Sequence, residues 1–252
     1  MAHYQVTGEK SKEVARLFEG WEETLIWSAL EGCMGEVFVE NLDQPKSAQI
    51  ITADFCFFAG QPHRELVEHM PSSFIIMVPQ NEAWGQLIEE VYGERAKKIV
   101  RYAIKKEKDV FDRFKLQQIV EHLEAEYEVK LIDESLYKQC LAQDWSSDLC
   151  SQFPDYETYK KMGLGVVILY KGEVVAGASS YTCYSQGIEI EIDTKEEFRR
   201  RGLASVCGAK LILECLSRGL YPSWDAQNKW SVALAEKLGY HFDREYTAYE
   251  VK

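Results

Sequence analysis

With 252 residues and 46% hydrophobic composition, the chain can build one large core or two smaller ones, and its formal charge of −12 argues against a nucleic-acid partner, which requires a dominant basic face. It shows no apolar run of about 18 residues or more, no cleavable signal and no lipidation motif, so no membrane partner and a cytoplasmic location are expected. Its seven cysteines lack CxxC spacing and read as reduced core thiols, and its five histidines show no paired ligand spacing, so no metal site is expected.

Short helices are predicted over Lys10 to Phe18 and Glu22 to Leu30, then strands over Glu36 to Glu40 and Gln49 to Phe58. Arg64 to Met70 reads as helical and Phe74 to Val78 as a compact apolar strand. Glu82 to Tyr92 carries the helical spacing Trp84, Leu87, Ile88, Val91. Lys98 to Ile104 reads as a strand and Val110 to Tyr127 as a longer helix. A domain boundary is placed near residue 126, giving an α/β first half, 1–126, and a second half, 127–252.

In the second half, Glu128 to Ile132 reads as a strand, and Glu134 to Leu141 and Tyr156 to Met162 as helices. A hairpin over Gly165 to Tyr181 turns at Lys171-Gly172. Ile188, Ile190 and Ile192 then alternate with Glu189, Glu191 and Asp193, the period-two pattern of a strand with one apolar and one polar face. After Arg199-Arg200-Arg201-Gly202 the spacing turns helical from Leu203, and Gly219 suits the C-terminal cap. A short strand at Ser223-Trp224, a helix from Asn228 and a closing stretch from Tyr240 to Val251 complete the order.

The first N–H groups of a helix have no partner inside it, and the aligned peptide dipoles make that end positive. The turn can therefore receive a phosphate or diphosphate, with Gly202 and Ala204 clearing the approach and three arginines adding charge-assisted donors. A solvated basic helix start is the plainer reading of the hexapeptide alone.

Arg199-xx-Gly202-x-Ala204 after an alternating strand resembles the acetyl-CoA signature of the GNAT acyltransferase superfamily, R/Q-xx-G-x-G/A. The segment from Asn228 through Ser231 to Leu238-Gly239-Tyr240 resembles its second motif, N-xx-S-x(6)-LG-[FY]. The likeness covers the last half of the chain and is nearest to the two-part bacterial members that include zwittermicin-resistance acetyltransferases. It implies an α/β (α+β) fold in which a mixed, largely antiparallel sheet carries helices on both faces. The parallel order of elements in the first half suggests a degenerate GNAT-like copy that lacks the arginine-glycine turn and does not bind coenzyme A.

The resemblance further implies acetyl-CoA as co-substrate, without a metal. Ile192, Asp193 and Thr194 would pair with its pantetheine arm. Amides from Arg200 through Gly202, Leu203, Ala204 and Ser205 would hold the diphosphate, with Arg199, Arg200 and Arg201 offering charge. Asn228 and Ser231, three apart and so on one helix face, could bond the pantetheine or phosphate region, or serve as an ordinary N-cap and first-turn residue. The partner implied is a small-molecule amine, an antibiotic or metabolite, whose pocket the first half would shape; a homodimer is left open.

Acyl transfer to an amine needs a base, because an alkyl ammonium titrates near ~10.4. If the polar face of the strand borders a cleft, Glu191 is the first choice as base and Glu189 the second; if it faces solvent, both are solubility charges. A backbone N–H near Ile192 or Asp193 would polarise the thioester carbonyl. Many members carry a tyrosine acid where this chain has Ala235; Tyr246 and Tyr249 are substitutes without positional support. The alternative function is a non-catalytic acyl-CoA-binding regulatory or interaction module, and a more remote one a different nucleotide-binding α/β protein.

Overall fold

The computed structural model describes residues 3–252. By backbone proximity the chain divides into two compact units, Met1–Arg101 with Glu245–Lys252, and Tyr102–Arg244. The second unit thus begins ahead of the boundary read near residue 126. The last eight residues rejoin the first unit because Tyr249–Val251 pair antiparallel with Ile75–Met77, a partner far away in sequence.

In the first unit the order is β1 (Tyr4–Val6), α1 (Glu9–Val14), α2 (Thr24–Leu30), β2 (Glu36–Val39), β3 (Ser47–Thr52), β4 (Phe55–Gly60), α3 (Arg64–Glu68), β5 (Ile75–Pro79) and α4 (Glu82–Tyr92), followed by β6 (Ala96–Ile104). Strands β1 to β4 pair antiparallel in succession, and β4 pairs β5 in parallel through the α3 crossover. The segment expected as one strand from Gln49 to Phe58 is two, because Ala53 adopts a φ of 55° and turns the chain back at Ala53-Asp54. Alanine is a poor mark for a turn that usually selects Gly or Asn, so the sequence carried no signal there. Phe58 stacks on Trp84 in a core that includes Leu66, Met77, Ile88 and Tyr249.

The second unit continues with α5 (Arg113–Glu121), β7 (Tyr127–Leu131), α6 (Glu134–Leu141), α7 (Tyr156–Met162), β8 (Gly165–Tyr170), β9 (Glu173–Tyr184), β10 (Gly187–Thr194), α8 (Leu203–Ser217), β11 (Tyr221–Ser223), β12 (Asp225–Ala226), α9 (Lys229–Leu238) and β13 (Phe242–Val251). Its sheet runs β11-β10-β9-β8-β7, antiparallel except for the parallel β10–β11 pair. Helix α5 is shorter than the predicted Val110 to Tyr127, since Asp112 caps its start and Tyr127 already begins β7. The succession of antiparallel pairs, then a helix crossover to a parallel strand, then an Asn-capped helix occurs in both units, at Asn81 and at Asn228.

Cap chemistry explains why so many helix starts are legible. Asn81, Asp112, Asp133, Asp155 and Asn228 each accept a backbone N–H from the first turn of the helix they open. Helix α8 is different: at 15 residues it is longer than any of these, yet Gly202 stands at its N-cap and no side chain caps it. It ends as expected, with Gly219 at a φ of 72° just past Ser217. Six cysteines are buried, Cys33 is partly so, and all seven are free thiols.

Candidate active site

Residues Arg199 to Gly202 form an exposed bend between β10 and α8. Two residues set its path: Arg200 and Gly202, on either side of Arg201, both have positive φ, 61° and 81°. Only Gly takes that conformation freely, and a Cβ placed on Gly202 would meet open space. The first-turn amides of α8 therefore face an approach without side-chain bulk.

Cations converge there. Arg201 donates from Nη1 to the Tyr127 hydroxyl at 3.2 Å and from Nη2 to the Glu197 carbonyl at 3.1 Å, and its guanidinium lies 4.9 Å from the Phe198 ring centroid. Arg199 is turned back by its Nε, which donates to the Thr194 carbonyl at 3.2 Å. Lys237, in the last turn of α9, donates to Ser205 Oγ at 3.1 Å. A cavity of about 660 Å³ opens beside this end of α8, walled by Lys115, Gln118 and His122 of the α5 region and by Tyr127, Arg201, Gly202, Ser205 and Lys237. Cations gathered at the positive end of a helix dipole repel it unless an anion lies between them. A diphosphate fits that arrangement.

Strand β10 supplies the second feature. It pairs with β11 only over Gly187–Glu189, and from Ile190 to Thr194 no strand among the described residues pairs that edge. The register with β9 slips at the same place, where Glu189 opposes Thr182 and Ile190 opposes Ser180, leaving Tyr181 as the extra residue of a bulge. The bulge lies in β9 and bends and twists that strand; β10 and β11 part in a fork after Glu189, where their pairing ends. The open edge is about 16 Å long at ~3.3 Å per residue and leads from the fork to the basic bend. At its middle the Ile192 N–H donates to Glu191 Oε1 at 3.1 Å, so a carboxylate oxygen stands where another acceptor could.

Burial along β10 does not alternate as its side chains do: Gly187 to Ile190 are buried and Glu191 to Thr194 partly so. Ile192 lies on the face packed by α8, its Cδ1 3.3 Å from the Cβ position of Gly208. Glu189 is buried at 4% exposure, Glu191 and Asp193 are partly buried, so neither of the first two is a freely solvated charge. The Asp193 carboxyl is pushed up to about 6 by burial and by the nearby Asp148 carboxylate, with Arg199 opposing. A raised carboxyl favours the protonated fold: the stability it contributes is complete below the unfolded value near ~3.9 and lost as pH rises through about 6. Asp193→Asn is therefore expected to stabilise the protein by on the order of 2 kcal/mol at pH 8 and by nothing at pH 4, checked by chemical denaturation at both pH values.

The second motif is placed as a helix start. Asn228 Oδ1 caps α9 through the Ser231 N–H at 3.0 Å, and Ser231 Oγ accepts from the buried Trp224 indole at 3.0 Å. Ala235 is fully buried. Tyr249 belongs to the first unit's core and donates to Glu89 Oε1 at 2.7 Å. Tyr127, Lys237 and Asp148 were not singled out from the sequence, since each reaches the site from an element distant in the chain. Among the described residues no group of three or more His, Cys, Asp or Glu side chains is placed to hold a metal, and no helix is long and apolar enough to cross a membrane.

A family model described as GNAT acetyltransferase matches residues 15–249. The chain belongs to that family. This GNAT protein is 51% identical to a GCN5-related N-acetyltransferase-like protein of Streptococcus suis 89/1591, whose crystal structure superposes with a TM-score of 0.92 over 97% of this chain and 99% of that one. It is 25% identical to the uncharacterized N-acetyltransferase YdfB of Bacillus subtilis (strain 168), over 97% of each chain. A tandem GNAT protein from the clavulanic acid biosynthesis pathway, 10% identical, shares the fold at a TM-score of 0.62 over 99% of this chain and 97% of that one. The mixed α/β fold with a largely antiparallel sheet is that of the GNAT proteins, and the chain is an N-acetyltransferase.

Proposed function

We propose that this acetyltransferase uses acetyl-CoA as donor and carries the acetyl group to the amine of a small molecule by direct attack on the thioester. The observation that carries this reading is the continuity of the open β10 edge with the uncapped, basic start of α8. Amides of Arg200 through Ala204 hold the diphosphate, the Ser205 N–H already donating to the Gly202 carbonyl at 3.0 Å, with Arg199, Arg200, Arg201 and Lys237 supplying charge. Residues Ile190 to Thr194 add the pantetheine arm as a strand would be added. The Ile192 N–H, which here donates to Glu191, is the donor for the thioester carbonyl and for the oxyanion that develops on it.

When that carbonyl takes the amide, the Glu191 carboxylate is released beside the carbonyl carbon. Glu191 then receives the proton of the attacking ammonium, and Glu189, nearer the fork, is the second candidate. The nitrogen gains a bond to the carbonyl carbon and sheds its second proton to solvent, the carbon–sulfur bond breaks, and the coenzyme leaves as a thiolate that departs readily near its ordinary pKa of ~8.5. No tyrosine acid is required, in keeping with the buried Ala235. The first unit, with the same strand connectivity but no arginine-glycine turn, is a degenerate copy that binds no coenzyme.

Acetyl-CoA and a panel of primary amines, followed by thiol release, test this reading. Glu191→Gln is expected to lower kcat about a hundredfold while leaving coenzyme A affinity unchanged. Full activity in that variant together with a loss in Glu189→Gln would move the base to the fork, and absence of thiol release with any amine would count against the amine acceptor.

A further inference from the structure

The fork contains a polar group that the reaction as described does not use. Ser223, the last residue of β11, is fully buried, and its Oγ finds no hydrogen-bond partner among the described residues. A buried hydroxyl without a partner is costly in the free protein and rare, so its retention calls for an occupant. Ser223 is the register mate of Glu189 in the parallel β10–β11 pair, and register mates project from the same face of a sheet. That is the polar face, opposite the Ile192 face packed by α8. The next residue of β10, Ile190, is already beyond the fork.

Resting on the function proposed above, we infer that Ser223 and Glu189 form the seat of the acceptor nitrogen. The carrier's arm is held at its diphosphate end by the bend, and its carbonyl lies at Ile192. The stretch between Ile192 and the fork, about 10 Å at ~3.3 Å per residue, is then the space for the acetyl group and the attacking nitrogen. A hydroxyl has two lone pairs for N–H donors, and Glu189 supplies negative charge beside it. This end of β11 already attracts one ammonium: Lys106 Nζ donates to the Trp224 carbonyl, the residue after Ser223, at 3.3 Å. The ligand class is a primary alkyl ammonium, narrow enough to enter nitrogen first. Ser223 orients that nitrogen and takes no proton, so it is a positioning residue.

The test compares wild type with Ser223→Ala in three measurements: melting of the free protein, titration with coenzyme A, and thiol release from acetyl-CoA with propylamine, spermidine and glucosamine as acceptors. Removing an unpartnered hydroxyl is expected to leave Tm unchanged or raise it by roughly 2–4 °C. The Kd for coenzyme A stays the same, and the acceptor KM rises roughly ten- to a hundredfold, the worth of one hydrogen bond to a charged group. A lower Tm with unchanged acceptor KM makes Ser223 structural and overturns the inference. So does a wild type that binds coenzyme A but turns over none of the three amines. A wild type with no affinity for coenzyme A removes the proposed function itself, and this inference with it.

Discussion

Gly202→Glu is expected to abolish measurable coenzyme A binding, by a factor of about 10³ or more in Kd by titration calorimetry. The position has a φ of 81° and open space around its Cβ, so the fold itself resists the change only through left-handed strain of about 1–2 kcal/mol. Binding suffers far more. The added carboxylate enters the approach to the first-turn amides of α8 and sits among Arg201, Lys237 and the helix dipole, answering the charges that a diphosphate would answer. Loss of two charge-assisted hydrogen bonds at about 1.5–3 kcal/mol each accounts for the factor. Gly202→Asn, which tolerates the same backbone with a neutral side chain, should lose much less; equal affinity in the glutamate and wild-type proteins would refute the assignment of the bend.

Gly187→Ala is expected to cost about 3 kcal/mol of stability, lowering Tm by roughly 6–12 °C for a chain of this size. Gly187 opens the only stretch over which β10 and β11 pair, facing Tyr221 on one side and Tyr184 on the other. A Cβ there would overlap the Tyr221 carbonyl oxygen, lie 2.9 Å from the Tyr221 carbonyl carbon and 3.0 Å from Tyr184 Cε1. Backbone cannot step aside as a flexible side chain can, so β11 must be pushed away and the fork widened. Gly219→Ala is the informative comparison: its φ of 72° carries strain, but nothing stands within 4 Å of its Cβ. A thermal melt should show the Gly187 variant clearly less stable than the Gly219 variant, and equal melting temperatures would mean that the strands do not meet as closely as described.

Local chemistry made much of this fold legible. Glu134–Leu141, Tyr156–Met162 and Gly165–Tyr170 have the bounds read from sequence because an Asp cap or a turn glycine marks their ends. The hairpin at Ala53-Asp54 was hidden, since neither residue advertises a positive φ, and β1 is too short for any periodicity. The site divides along the same line. The basic bend, the polar face of β10 and the Asn228 cap are contiguous in sequence and could be named from it. Tyr127 reaches Arg201 across 74 residues and Lys237 reaches Ser205 across 32, and such contacts are set by packing that no local pattern encodes. The fork itself depends on where a three-residue strand stops pairing, and the orphaned hydroxyl of Ser223 on which face that strand presents.

The central claim is that main-chain donors at the start of α8 grip the diphosphate of coenzyme A while the free edge of β10 receives its arm. Amide chemical shifts measured during a titration with coenzyme A test it most directly. Large, saturable shifts confined to the amides of Arg200 through Ala204 and Ile190 through Thr194, with those of α4 and β4 unmoved, are the predicted result. Binding of coenzyme A that leaves those amides unmoved, or no binding at all, would contradict it.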